Sequence, residues 1–132
     1  MTQWRWLTKD LILAIHDEQL AEHGGRPGIR DLGLLESALA RPLNRAAYAE
    51  VTVFDLAAAY AFGIVRNHPF VDGNKRVALL AAALFLIEHD VEISASDDTV
   101  VTSMLSLADG SLDEEVFALW LRNNTAASGE AS

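Results

Sequence analysis

The chain has 132 residues, 51% of them hydrophobic, no cysteine, and a formal net charge of −9. That is enough apolar material for one folded core and too much for a disordered chain, and the missing cysteines exclude disulfides and thiolate metal centres. An acidic chain binds polymeric nucleic acid poorly, because that needs many cationic contacts to phosphate, so no direct nucleic-acid partner is expected.

In chain order, the N-terminal MTQWRWLTKD lacks the basic start and long apolar core of a signal peptide. Trp4 and Trp6 are core plugs, with a partner-facing patch as the alternative. Thr8 can cap a helix over roughly 8–23, with Leu11, Ile12, Ile15 and Leu20 inward. GGRPG at 24–28 ends it. Asp31 is placed to cap a short helix over Leu32–Ala40, stopped before Pro42, and 41–51 read as an irregular connection. An alanine-rich helix at about 52–66 carries Leu56, Tyr60, Ile64 and Val65, with Asp55 in its first turn. A second, over 74–89, follows the polar stretch 67–73. Ser94 or Ser96 can cap a helix to about Ala108, and Asp109-Gly110 is a turn signal. Ser111 with Glu114 spaces as a capping box for a last helix at 112–123, with Phe117 and Trp120 inward. No alternating run of strand length stands out. The expectation is one all-α domain over 1–124 with a frayed tail at 125–132.

The two helices flanking 67–73 are nearly apolar all round, which places them at the centre of a bundle. They form a helical hairpin whose bend carries NHPFVDGNKR. The apolar run Val77–Ile87 is too short for a bilayer, which needs about 20 residues. The chain is therefore expected to be soluble and cytoplasmic, without a membrane partner.

The bend holds the chemistry. His68 precedes Pro69, so the incoming helix should stop near Asn67. Gly73 permits a sharp turn, and a new helix can start near Asn74. Its first N–H groups lack partners and its dipole is positive there, which suits phosphate. Lys75 and Arg76 oppose that dipole, a mismatch that an anionic guest would relieve. With Arg66 they are three of only ten Lys and Arg residues in the chain. Singly, these residues have plain explanations: Asp72 or Asn74 as a cap, His68 as a loop residue, Arg66 as a C-terminal charge. Together, His68, Asp72, Gly73-Asn74 and the paired cations Lys75 and Arg76, within nine positions, have no joint structural reason.

His16-Asp17 and His89-Asp90 are dipeptides of the kind used by metal phosphohydrolases, with Asp97 or Asp109 as a distant ligand. That alternative leaves Gly-Asn-Lys-Arg unexplained, and residues near helix ends, His23 among them, are the plainer interpretation.

The stretch His68-Pro-Phe70-Val-Asp72-Gly73-Asn74-Lys75-Arg76 resembles the signature H-x-F-x-[DE]-G-N-x-R-x-x-R of the Fic/Doc superfamily, and within it the Doc (death-on-curing) toxin branch. GIRDLGLLESALARP at 28–42 and IHDEQL at 15–20 also resemble Doc proteins. The resemblance implies a compact helical bundle. It makes His68 the base for a target hydroxyl, Asp72 the magnesium ligand and Phe70 the apolar anchor. Gly73, Asn74, Lys75 and Arg76 fall on phosphate-binding positions. It implies ATP and Mg2+ as cofactors, and γ-phosphate transfer to a Thr or Ser of a translation factor such as elongation factor Tu, arresting translation. Enzymes of the superfamily that transfer AMP carry a second Arg where Leu79 stands here and tend to have Gly in place of Lys75; AMP transfer is the runner-up. Some Doc relatives carry Asn at the position of Leu80. A non-catalytic helical binding module is the third alternative. No [ST]-x-x-x-E-[GN] inhibitory motif is present, since Val116 follows Glu115, so the resemblance implies a separate, Phd-like antitoxin. Either GGRPG or 41–51 could be the loop that docks the target.

Overall fold

Of the two helices without a polar face, the first is the one that most of the others pack against. The computed structural model describes residues 3–128. Their order is α1 (Lys9–His23), α2 (Leu32–Tyr48), α3 (Val53–Asn67), α4 (Asn74–Glu88), β1 (Val91–Ile93), α5 (Asp97–Asp109), α6 (Glu114–Asn123) and β2 (Thr125–Ala127). The architecture is helical, as the periodicity requires. Helix α3 packs against α2, α4, α5 and α6, and buries Leu56 through Ala61 without a break, then Gly63, Ile64 and Val65. Its alanines let neighbouring axes approach. Gly63 marks the closest approach: a Cβ there would meet the Ala38 carbonyl oxygen of α2 at 3.1 Å and its Cα at 3.2 Å. The glycine costs the helix about 1 kcal/mol of propensity, which the α2 contact outweighs.

Among the described residues, five of the six helices start on a side-chain cap: Thr8, Asp31, Thr52, Ser96 and Asp113. Thr52 and Asp55 form a full capping box. Thr8, Asp31 and Ser96 match the sequence expectation. The last helix does not, because its cap is Asp113 and not Ser111. Glu114 is instead buried at 6% exposure, and its carboxylate accepts hydrogen bonds from Arg41 and Arg45. The same grip explains a second departure. Helix α2 does not stop before Pro42 but runs through it to Tyr48, so 41–51 is not a loop. Proline costs the helix one N–H bond. The buried stripe Leu35, Ala38, Pro42 and the hold of α6 on Arg41 and Arg45 carry the helix across it.

On α1 the inward face is Ile12 and His16, with Ile15 and Leu20 half-buried, whereas Leu11 is 37% exposed. Trp4 and Trp6 both lie against Phe85 of α4, at ring-centroid distances of 6.2 and 6.0 Å, half-buried as core plugs. The Leu7 N–H donates to the buried Tyr60 hydroxyl at 2.9 Å, which ties this segment to α3. A small antiparallel sheet, Val91↔Ala127 and Ile93↔Thr125, was not expected from runs of three residues. It occupies the start of the stretch read as a frayed tail; residues 129–132 lie outside the described residues.

Candidate active site

Helix α3 ends at Asn67, as the following His-Pro step requires. The His68 N–H still donates to the Ile64 carbonyl at 3.0 Å, but the residue turns into the left-handed region at φ 50, ψ 54. Pre-proline sterics alone favour an extended residue here. The left-handed well costs an L-residue about 1–2 kcal/mol, and bonds from elsewhere hold it. Arg30 donates from Nε to the His68 carbonyl at 2.7 Å and from Nη2 to the Asn67 carbonyl at 2.8 Å. This guanidinium meets the negative end of α3, where a cation is favoured. His68 itself is exposed.

The segment around Arg30 lies antiparallel to the bend. Ile29 and Phe70 form a β-bridge. The Arg30 and Asp31 N–H groups both donate to the Pro69 carbonyl, at 2.7 and 3.1 Å, and the Val71 N–H donates to the Gly28 carbonyl at 3.1 Å. The GGRPG loop therefore straps the motif loop. It stays wholly exposed on its other side. With 41–48 in a helix, GGRPG is the irregular segment beside the motif.

Phe70 is fully buried. Asn74 accounts for its backbone: the Phe70 N–H donates to Oδ1 at 3.0 Å and Nδ2 donates to the Phe70 carbonyl at 2.9 Å. The Asn74 side chain, 4% exposed, thus closes the loop and does not reach toward the open space. Any part it has in binding an anion falls to its backbone N–H.

Helix α4 differs from the other five at its start. Gly73, at φ 84, stands at the N-cap and no side chain accepts from the first turn. Its unpartnered N–H groups, with the positive dipole end, open on a cavity of about 430 Å³. That cavity is lined by His68, Asp72, Gly73, Asn74, Lys75 and Arg76, with Val65, Val71 and Ala108 as its apolar wall. Among the described residues, neither Lys75 nor Arg76 makes an ion pair. Arg66 is not part of this lining; its guanidinium lies over the Phe62 ring at 5.4 Å.

Asp72 is exposed. The N–H of Arg26 donates to its Oδ2 at 3.1 Å and that of Gly73 to Oδ1 at 2.9 Å. These two bonds, with the nearby Arg26 and Arg76 charges, hold its carboxyl below the usual carboxylate range. The group is thus ionised at neutral pH and keeps lone pairs for a further partner. Among the described residues no three His, Cys, Asp or Glu side chains gather as a metal cage. A single carboxylate suits magnesium nevertheless, because that ion keeps waters and takes its other ligands from substrate phosphates.

The histidine–aspartate dipeptides serve other ends. His89 Nδ1–H donates to the Phe85 carbonyl at 2.7 Å while Nε2 accepts from the Arg5 N–H at 3.1 Å, so both nitrogens are engaged. His16 is not a surface residue: it is 3% exposed and bonded to the motif loop. Sequence reasoning missed the roles of Arg30 and His16. Arg30 left no signal, because its partners are backbone carbonyls distant in the chain.

Comparison with known proteins identifies the family of the chain. The model of the Fic/DOC family matches residues 6–86. The chain is 37% identical over 95 residues to "Protein kinase doc" of Escherichia phage P1, covering 71% of this chain and 75% of that protein. It is 44% identical over 78 residues to "Toxin Doc" of Mycolicibacterium smegmatis, covering 57% of this chain and 59% of that protein.

Proposed function

The chain belongs to the Fic/DOC family, in its Doc branch, and from that premise we propose that it is a Doc-type toxin that phosphorylates a protein hydroxyl. One observation carries the proposal: the only helix start without a side-chain cap among the described residues opens, with two unpaired cations, on a cavity that also holds His68 and Asp72. ATP is the donor. Its γ-phosphate lies against the α4 N-terminus, Lys75 and Arg76, where backbone N–H groups and full charges converge. Asp72 would hold Mg2+, which when bound neutralises phosphate charge. His68 takes the proton of a Thr or Ser hydroxyl as that oxygen bonds to phosphorus and the bond to the bridging oxygen breaks, releasing ADP. Pinning the bend from both flanks keeps these groups in place, and in phosphoryl transfer positioning supplies most of the rate.

The target is a translation factor such as elongation factor Tu, and a separate Phd-like antitoxin neutralises the protein. Lys75, and leucine where a second arginine would stand, favour γ-phosphate transfer over AMP transfer. Incubation with γ-labelled ATP, Mg2+ and elongation factor Tu tests this. Label on the factor that is lost with His68→Ala is the expected result. Label from α-labelled ATP alone would establish AMP transfer, and calorimetry showing no Mg2+-dependent nucleotide binding would leave a binding module.

A further inference from the structure

Asp72 has to face two ways. The residue lines the cavity, and its carbonyl points back into the protein, where His16 receives it: Nε2 lies 2.9 Å from the Asp72 oxygen, across 56 residues of sequence. A carbonyl only accepts, so Nε2 carries the proton. Burying an imidazole costs free energy unless its polar atoms find partners. An aliphatic side chain would fill the inward face of α1 below the loop, following Ile12, without that cost. The donor is what a histidine adds.

The same ring touches the motif twice more. It stacks on Phe70 with centroids 3.9 Å apart and planes 14° apart. It also lies below Gly73, where a Cβ would stand 3.6 and 3.8 Å from its Cδ2 and Nε2. The peptide joining Asp72 to Gly73 is consequently held at both polar ends. Its C=O accepts from His16, and its N–H donates to Oδ1 of Asp72 itself at 2.9 Å. The plane of that peptide sets the φ of 84 at Gly73, the direction of the carboxylate, and the aim of the first N–H groups of α4. Turning it over would redirect all three.

We propose that His16 is a positioning residue: its Nε2–H fixes the Asp72–Gly73 peptide so that the carboxylate and the α4 N-terminus converge on one Mg2+-nucleotide. The inference rests on Asp72 being the metal ligand in the proposed transfer. Groups that orient a metal ligand typically change metal affinity by about tenfold to a hundredfold when removed.

Two variants separate the donor from the ring. His16→Phe keeps a flat ring on Phe70 and removes the N–H; His16→Gln keeps an N–H at similar reach and removes the ring. Calorimetry measures Mg2+-dependent binding of a non-hydrolysable ATP analogue, and the Gly73 amide resonance is followed by NMR. His16→Phe is expected to weaken binding by about tenfold or more and to shift and broaden the Gly73 amide. His16→Gln is expected to restore both. The opposite pattern, binding kept by His16→Phe and lost by His16→Gln, means that the ring only packs and overturns the proposal. Should His16→Phe fail to fold, 15N-labelled histidine in the parent decides. A slowly exchanging Nε2–H proton on His16 supports the proposal, and an Nδ1–H tautomer overturns it. A parent that binds Mg2+-nucleotide yet transfers no phosphate would refute the kinase assignment and leave this test intact.

Discussion

Replacing Asn74 with alanine separates its two candidate jobs, loop pin and phosphate ligand. In the folded protein its side chain makes two bonds to the backbone of the fully buried Phe70, at 3.0 and 2.9 Å. Truncation leaves an N–H and a C=O of Phe70 without partners. A buried unsatisfied donor costs about 1–3 kcal/mol and a lost neutral bond about 1 kcal/mol, so the variant should lose about 2–4 kcal/mol. With a urea slope near 2 kcal/mol/M for a chain of this size, the unfolding midpoint should fall by about 1–2 M. The assay is equilibrium urea unfolding followed by far-UV circular dichroism, with nucleotide affinity measured by calorimetry well below the midpoint. An unchanged midpoint combined with lost affinity would refute the reasoning, because Asn74 would then be a ligand and not a pin.

Lys75→Ala should weaken Mg2+-nucleotide binding by about tenfold or more, the worth of one charge-assisted hydrogen bond. The unliganded protein should keep its stability or gain about 0.3 kcal/mol from removing a cation at a helix start; a large loss of stability in thermal unfolding would count against this account. At the left-handed His68, glycine and alanine should both abolish transfer, but His68→Ala should be less stable than His68→Gly by about 1 kcal/mol. Equal unfolding midpoints would mean that the backbone there is unstrained. Burial pushes the Tyr60 phenol up to about 12, against a smaller lowering by the Leu7 N–H. The unfolded phenol loses its proton near 10.0. The folded form therefore has its full advantage below that pH and loses it as pH rises from there toward 12. Tyr60→Phe should flatten this alkaline limb and cost about 1–2 kcal/mol at neutral pH through the orphaned Leu7 N–H; an alkaline limb identical to the parent's would exclude Tyr60 as its source.

Helix starts were readable because caps are local. Thr8, Asp31 and Ser96 each satisfy an N–H three residues ahead, and no distant residue has a say. The apolar character of Leu56–Val65 and Val77–Ile87 likewise required a central hairpin, since a helix with no polar face cannot lie at a surface. Proline at 42 was misleading for the complementary reason. Its local penalty was real, but Glu114, 73 residues from Arg41 and 69 from Arg45, holds the helix together from outside.

The site divides in the same way. Spacing alone brought His68, Asp72, Gly73, Lys75 and Arg76 to one bend, because they are neighbours in sequence across one turn and the first turn of a helix. Their orientation came from elsewhere. Arg30 sets the His68 backbone, the Gly28–Asp31 segment runs along the motif, and His16 holds the Asp72 carbonyl from the opposite side. Each of these is a bond to a backbone atom, which every residue possesses. No pattern of side-chain types can announce such a bond, and only the packing of α1 and α2 against the hairpin brings the partners within reach.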